Sequence, residues 1–569
     1  MPFHPKLRRC VLLTLSLLSA CGAADGTQIT ATLPPQTSLE VNGAAGAYLV
    51  GRVASAHGDH ALAADMFERT LKDEPDNPEI LQRAFMAGLM AGRSEAVAFA
   101  RRLPANLPAE LLLGNADVKD GKWAVAEARY SAMLRQGATQ LLQPLLVAWT
   151  QQGSGRTDVA LATLRPFVEG QRFRAAYALH AAMIADLGGK DAEAGRYYKI
   201  AQTEFGGTSL QLATALASWQ VRQGRIPDAQ ATLNALVQQN GDIAIALPAL
   251  YAQTHTRPVR NARDGMAEAF LALAGALRGP ETSDFALLML RLALDLRPDL
   301  TPARILSADL LDTARQPQGA IALLAQVEAT DPLESVARLR QTALLDRVGQ
   351  TSAALALVDR LIIKFPLRPE PLALKGDILR GKKRFADAVG AYDKAVSLLK
   401  QPQRSDWVLF YERGIALERS LNWARAEADF VKALELSPDE PFVMNYLGYS
   451  WTEQGINLPR AKAMIERAAE KRPNDGAIID SLGWVTMRMG DTKAAVRLLE
   501  RAAELQSTDS TINMHLGDAY WAVGRKLEAQ FQWRRALQQS PEPDDIPKLQ
   551  AKLLESEVTL GNKQVIGAP

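Results

Sequence analysis

Two cysteines in 569 residues, Cys10 and Cys21, leave almost no thiol chemistry to consider. Both precede residue 22, so the body of the chain has no thiol nucleophile, disulfide or cysteine-ligated metal. Histidine is scarce as well. His57 and His60 are three apart but straddle Gly58-Asp59 with no third ligand cluster, so they read as turn residues, and no metal is expected. Charge of one sign is missing: the net is +2, and Lys6, Arg8 and Arg9 alone supply more than that. The remainder has no basic surplus with which to neutralise a phosphate backbone, so nucleic acid is not an expected partner. The chain carries no Walker loop and no glycine fingerprint for a dinucleotide beside a strand, so no cofactor is expected. Nor is there a long apolar run. The longest near the start, "VLLTLSLL", falls far short of the roughly 20 residues a bilayer span requires.

What is abundant is Ala and Leu, the leading helix formers, which tilts the expectation toward an all-α fold. At this length the chain must hold several domains or a repeat array.

The first residues have their own pattern. "KLRRC", the short apolar run and "SAC" read as a signal peptide over residues 1–20. Leu18-Ser19-Ala20-Cys21 resembles a bacterial lipobox, which implies acylation of Cys21; plain cleavage near Ala20 is the alternative. Gly22 rather than Asp follows, so the expected location is the outer membrane, facing the periplasm. Residues 21–43 are small, polar and broken by Pro34-Pro35, as a flexible tether would be.

Beyond the tether one period dominates. Gly414, Gly448, Gly483 and Gly517 stand 34, 35 and 34 residues apart. Each is followed by a small residue (Ala426, Ala461, Ala495, Ala529), a bulky one (Phe430, Ile465, Leu499, Trp533) and a second Ala (Ala433, Ala468, Ala502, Ala536). Pro438, Pro473 and Pro541 close three of the four units. A small residue where two helices cross lets them approach, a bulky one fills the groove between them, and proline stops the second helix. The pattern runs back through Gly376, Ala354, Ala320 and Ala286, giving eight units over 267–543. Gly51, Ala63, Phe67 and Pro75 mark another good copy, and Gly92, Gly121, Gly155, Gly189 and Gly224 pace degenerate units between them. The expected architecture is an all-α helix-turn-helix solenoid, a right-handed superhelix of about fourteen repeats. Its parts are a degenerate N-terminal solenoid over 44–241, an irregular joint over 242–266 containing Pro248 and Pro258, a C-terminal solenoid over 267–543, and a capping helix and tail over 544–569.

"IIDSLGW", residues 478–484, looks like the nucleophile block of an esterase. Ser481, however, takes the repeat position held by Glu412, Tyr446 and His515 in sister units, and these share no chemistry. A serine nucleophile needs a strained turn and a base, whereas Ser481 falls inside an expected helix. No catalytic residue is assigned and the chain is not expected to be an enzyme. The candidate site is instead the concave face of the C-terminal repeats: Tyr411, Asn445, Tyr449, Asp480, Trp484, Met487, Arg488, Asp518 and Trp521. Tyr, Trp, Met and Arg are enriched in protein–protein hot spots.

The spacing resembles the tetratricopeptide repeat family over nearly the whole body. More narrowly, "NYLGYSW", "IIDSLGW" and "HLGDAYWAVGR" with "EAQFQW" resemble the final units of bacterial repeat lipoproteins. One of these is the binding partner of a periplasmic carboxyl-terminal processing protease. That resemblance implies an adaptor, lipid-anchored in the envelope, that brings peptidoglycan hydrolases to such a protease. The alternative is a scaffold for outer-membrane assembly or polysaccharide export machinery.

Overall fold

The computed structural model of the chain describes residues 43–566, apart from 104–105, 208 and 278. The expected signal peptide, the acylation site Cys21 and all but the last residue of the tether lie outside the described residues. Among the described residues every regular element is helical, and the helices pair into fourteen hairpins. Six precede the irregular stretch that begins with the 3₁₀ turn Gly241–Ala246, and eight follow it. None of these helices is long and apolar enough to cross a membrane.

The sequence code for the hairpins is visible as contact. A Cβ placed on Gly414, Gly448, Gly483 or Gly517 would come within 2.5–2.7 Å of Phe430, Ile465, Leu499 or Trp533 respectively. Only hydrogen fits there, so each glycine sets the crossing of its hairpin. Ala426, Ala461, Ala495 and Ala529 are fully buried on the facing helix. The hairpins are linked by helix caps: the Asp475 carboxylate accepts from the N–H groups of Ala477 and Ile478, and Asp509 does the same for Thr511 and Ile512. These bonds satisfy donors that a helix start leaves free.

In the early hairpins the pacing glycines do a different job. Gly92, Gly121, Gly155, Gly189 and Gly224 all have φ between 71° and 76°, in the left-handed region that closes the turn between helices. They are turn residues rather than crossing points, and in the later hairpins Gly455, Gly490 and Gly524 take that role.

Packing divides the chain between Ala354 and Leu355. The repeat period breaks elsewhere, at 242–266, where the short helix Leu247–Ala252 interrupts the hairpins. The difference arises because the hairpin of helices Ala262–Ala276 and Ser283–Leu296 packs back onto earlier helices.

In the unit ending at Ala354, that hairpin lies against the first helices of the preceding hairpins, among them Leu107–Lys119, Thr139–Gly153 and Arg174–Leu187. The inner face of the early repeats is thereby filled by the chain itself. Trp149 is fully buried, and its ring occupies the space a Cβ on Gly265 would need. Its Nε1 donates to Nδ1 of His180 at 3.0 Å, and burial lowers His180 to a pKa of about 3, so the ring is a neutral acceptor. Polar bonds fasten the rest. Asn115 Nδ2 donates to Leu292 O at 3.1 Å, Lys119 pairs with Asp295 at 2.7 Å, and Arg222 and Arg257 share Asp186 at 2.5 and 3.2 Å.

In the unit from Leu355 onward, one core runs from Phe410 to Leu549 through the last hairpins. The helix Ile546–Ile566 lies on the final hairpin. Leu549 is fully buried, Gln530 Nε2 donates to Ser556 Oγ at 2.8 Å, and Lys552 reaches Asp518. A solenoid end exposes an apolar face, and this helix covers it.

A candidate partner-binding groove in the C-terminal repeats

Helices Trp407–Arg419, Pro441–Gln454, Gly476–Arg488 and Ser510–Ala522 are the first members of four successive hairpins. Polar residues about one repeat apart meet along them. Asp480 and His515 are the most buried such pair: His515 Nδ1 lies 2.9 Å from Oδ2 and 3.1 Å from Oδ1 of the carboxylate. The Trp484 ring stacks on the imidazole, with centroids 4.1 Å apart and planes 10° from parallel. Trp484 Nε1 donates to Glu453 at 2.6 Å, and the Arg488 guanidinium stands 6.0 Å from the ring centroid. Tyr449 completes the cluster, its ring 6.3 Å from that of His515.

Burial alone would lower the pKa of His515. The charge and hydrogen bond of Asp480, with Asp518 and Glu453 nearby, more than offset this and hold the imidazole above its ordinary range. Burial raises the Tyr449 phenol, and the neighbouring carboxylates raise it further. On the first helix of the series, burial lifts Glu412 to about 7 although Arg380 pairs with it at 2.8 Å.

The nine residues assigned from sequence separate into two groups. Asn445, Tyr449, Asp480 and Trp484 fall in or beside the His515 cluster, with Met487 half-buried and Arg488 exposed one turn on. The Asn445 Oδ1 is buried without a hydrogen-bond partner. Tyr411, Asp518 and Trp521 are engaged in packing. Tyr411 is buried against Phe430 and Tyr446, with centroids 6.1 and 5.9 Å away. Asp518 accepts from Trp533 Nε1 at 2.9 Å and from Lys552 at 2.6 Å. Trp521 lies 5.4 Å from Trp533 and carries the Lys526 ammonium 3.4 Å from its centroid. Glu453 belongs to the cluster but is not among the nine; its position 31 residues before Trp484 is the signal that would have found it.

Ser481 is buried and its hydroxyl donates to Ala477 O, one turn back, at 3.0 Å. His57 Nδ1 bonds Val53 O of its own helix at 2.8 Å. No group of three or more His, Cys, Asp and Glu among the described residues is placed to hold a metal ion.

The tetratricopeptide repeat family model matches residues 344–403 and 481–544. Tetratricopeptide repeat protein 13 of Homo sapiens is 32% identical over 111 residues, which is 20% of this chain and 12% of that protein. The matched part is thus a small fraction of the relative's length. Among solved structures, the Cut9–Hcn1 hetero-tetramer of the APC/C is similar at 15% identity, covering 90% of this chain and 95% of the other with a TM-score of 0.39. Yeast Tom70 is similar at 13% identity, covering 81% and 99% with a TM-score of 0.35.

Proposed function

We propose that this chain, which carries tetratricopeptide repeats, is a non-catalytic scaffold that captures a protein partner in the groove around Trp484. The observation that supports this most directly is the arrangement of Tyr449, Trp484 and Arg488 over the buried Asp480–His515 pair. An aromatic ring fixed by stacking and by its bond to Glu453 presents contact surface without losing much freedom on binding. In the early repeats the equivalent face is taken up by the hairpin 262–296, so the later repeats are the place for a partner.

The finer reading rests on the sequence resemblance. The chain is an outer-membrane lipoprotein anchored through Cys21 and facing the periplasm, and it brings peptidoglycan hydrolases to a carboxyl-terminal processing protease. Holding both partners on one scaffold raises the effective concentration of each for the other.

The test is affinity capture from envelope extract, using the lipidated chain as bait and Trp484→Ala as control, read by mass spectrometry. Recovery of such a protease together with cell-wall hydrolases, reduced by Trp484→Ala, supports the adaptor. Recovery of assembly or polysaccharide-export components in their place would move the chain to that role. Capture indifferent to Trp484 removes the groove from the mechanism.

A further inference from the structure

A cleft of about 670 Å³ opens in the unit ending at Ala354, where the repeat period fails. Its walls come from helix Leu210–Arg222, the segment 250–260, helix Ala262–Ala276, the start of helix Thr301–Thr313 and the loop 326–333. It owes nothing to the groove around Trp484.

Most charges lining it are already balanced. Arg257 pairs with Asp186 at 3.2 Å, Arg260 with Asp264 at 2.7 Å, and Arg297 with Glu268 at 3.2 Å. Asp299 is shared between Arg260 and Arg297 at 3.2 and 3.5 Å, and Glu328 is exposed to solvent. Two groups differ. Arg304 binds only neutral oxygens, Gln326 Oε1 at 2.5 Å and Pro298 O at 2.8 Å. Asp331 binds only neutral donors, the Thr301 hydroxyl at 2.7 Å and the Leu333 N–H at 2.8 Å. Both line the cleft, and among the described residues no ion pair joins them to each other or to any third side chain.

Arg304 and Asp331 each face opposite charge only through space, Arg304 from Asp299, Glu328 and Asp331 and Asp331 from Arg297, with no salt bridge to either, and such a pair in one cleft complements a ligand that carries both charges. Leu210, Leu250, Val327 and Leu333 give the same cleft apolar wall between them. The volume lies within the range of small-ligand sites and suits a few small residues. We propose that this cleft binds the two charged ends of a short peptide, its carboxylate on Arg304 and its ammonium on Asp331.

The electrostatics agree with that geometry. Burial depresses Arg304 from the ordinary guanidinium range and raises Asp331 from the ordinary carboxylate range, and an incoming opposite charge relieves each. A half-buried charge without a salt bridge gains from one, and the ligand supplies it.

The test is calorimetric titration of the full chain with tetra-alanine, N-acetyl tetra-alanine and tetra-alanine amide. Free tetra-alanine is expected to bind, and removing either end charge to weaken binding by at least about tenfold. Arg304→Gln should abolish the penalty for the amide while keeping that for the acetyl cap; Asp331→Asn should do the reverse. A neutral structural role for these residues would not produce that crossed pattern. Equal binding of free and capped peptides, or no heat up to about 10 mM free peptide, overturns the proposal. Because the capped peptides are compared on the unaltered chain, the outcome holds even where a variant fails to fold.

Discussion

Asp480 and His515 stand 35 residues apart in the chain, yet carboxylate and imidazole meet at 2.9 Å beneath the Trp484 ring. The pair ties one hairpin to the next, and it makes the fold sensitive to pH. His515 is held above its ordinary 6.5, so the fold favours the protonated ring. That contribution is fully present below about pH 6.5 and is lost as pH rises through the raised folded value. Glu412, whose folded value is about 7 against an ordinary 4.5, also favours its protonated form. Its contribution fades between those two values as pH rises. The groups facing His515 are Asp480, Glu453 and Asp518 together with Tyr449. Hydrogen exchange in hairpin 476–505 of the full chain is therefore expected to quicken from pH 6 to 9 beyond the intrinsic rate change. His515→Gln should flatten the upper part of that profile, and Glu412→Gln the part below neutrality of the profile read in hairpin 407–436. A profile identical to the unaltered chain in both variants would remove these residues from the pH response.

Glycines that look alike in sequence should respond differently to alanine. A Cβ on Gly483 would sit 2.7 Å from Leu499 Cγ at a helix crossing, so Gly483→Ala is expected to cost about 1–3 kcal/mol by overpacking. Gly390 lies mid-helix and exposed, with nothing within 4 Å of the added carbon. Gly390→Ala is expected to stabilise by about 0.5–1 kcal/mol through the lost backbone freedom of glycine. Chemical denaturation of the two variants, read on the transition that contains residues 355–569, compares them directly.

Two tryptophans assigned to one face should separate as well. Trp484→Ala is expected to weaken partner capture by at least about tenfold with helix content kept. Trp521→Ala removes a ring packed against Trp533 and under Lys526, and is expected to cost about 1–3 kcal/mol of stability. A binding assay paired with a melt for each variant checks the contrast. Equal loss of both properties in both variants would contradict it.

The filled inner face of the early repeats gives a fourth expectation. Gly265→Val places a branched side chain where the Trp149 ring lies and should loosen the hairpin 262–296. Hydrogen exchange should then rise in helices Thr139–Gly153 and Ala262–Ala276 together, with helices beyond Leu355 unchanged. Exchange confined to residues 262–276 would mean that the two helices do not support one another.

The hairpins were legible because their code is local. Gly483, Ala495 and Leu499 lie within a single repeat, and the same spacing recurs in the next. The fit of Gly265 on Trp149 was not legible. Hairpin 262–296 carries the same small and bulky pattern as its neighbours, and nothing local says it turns back onto them. Helix Thr139–Gly153 is buried on nearly every side, but its four glutamines and two threonines gave no sign of it in the sequence. In the groove, the structure brings Asp480 and Trp484, four residues apart, together against His515. Spacing did not decide which rings face outward: Tyr411 and Trp521 occupy helix faces where a neighbouring bulky residue, Phe430 or Trp533, holds them in packing. Residue type names a groove residue only after its neighbours are known.

The seat of Trp149 also imposes a schedule on synthesis. Its partner Gly265 follows 116 residues later in the chain. At about 5–20 residues per second, roughly 6–23 s separate the two as the polypeptide emerges. As hairpins four to six are added in that interval, the growing concavity stays uncovered and oily, a feature a holding chaperone recognises and a misdirected neighbour can exploit. The early hairpins thus wait for residues 262–296 before their inner face is closed.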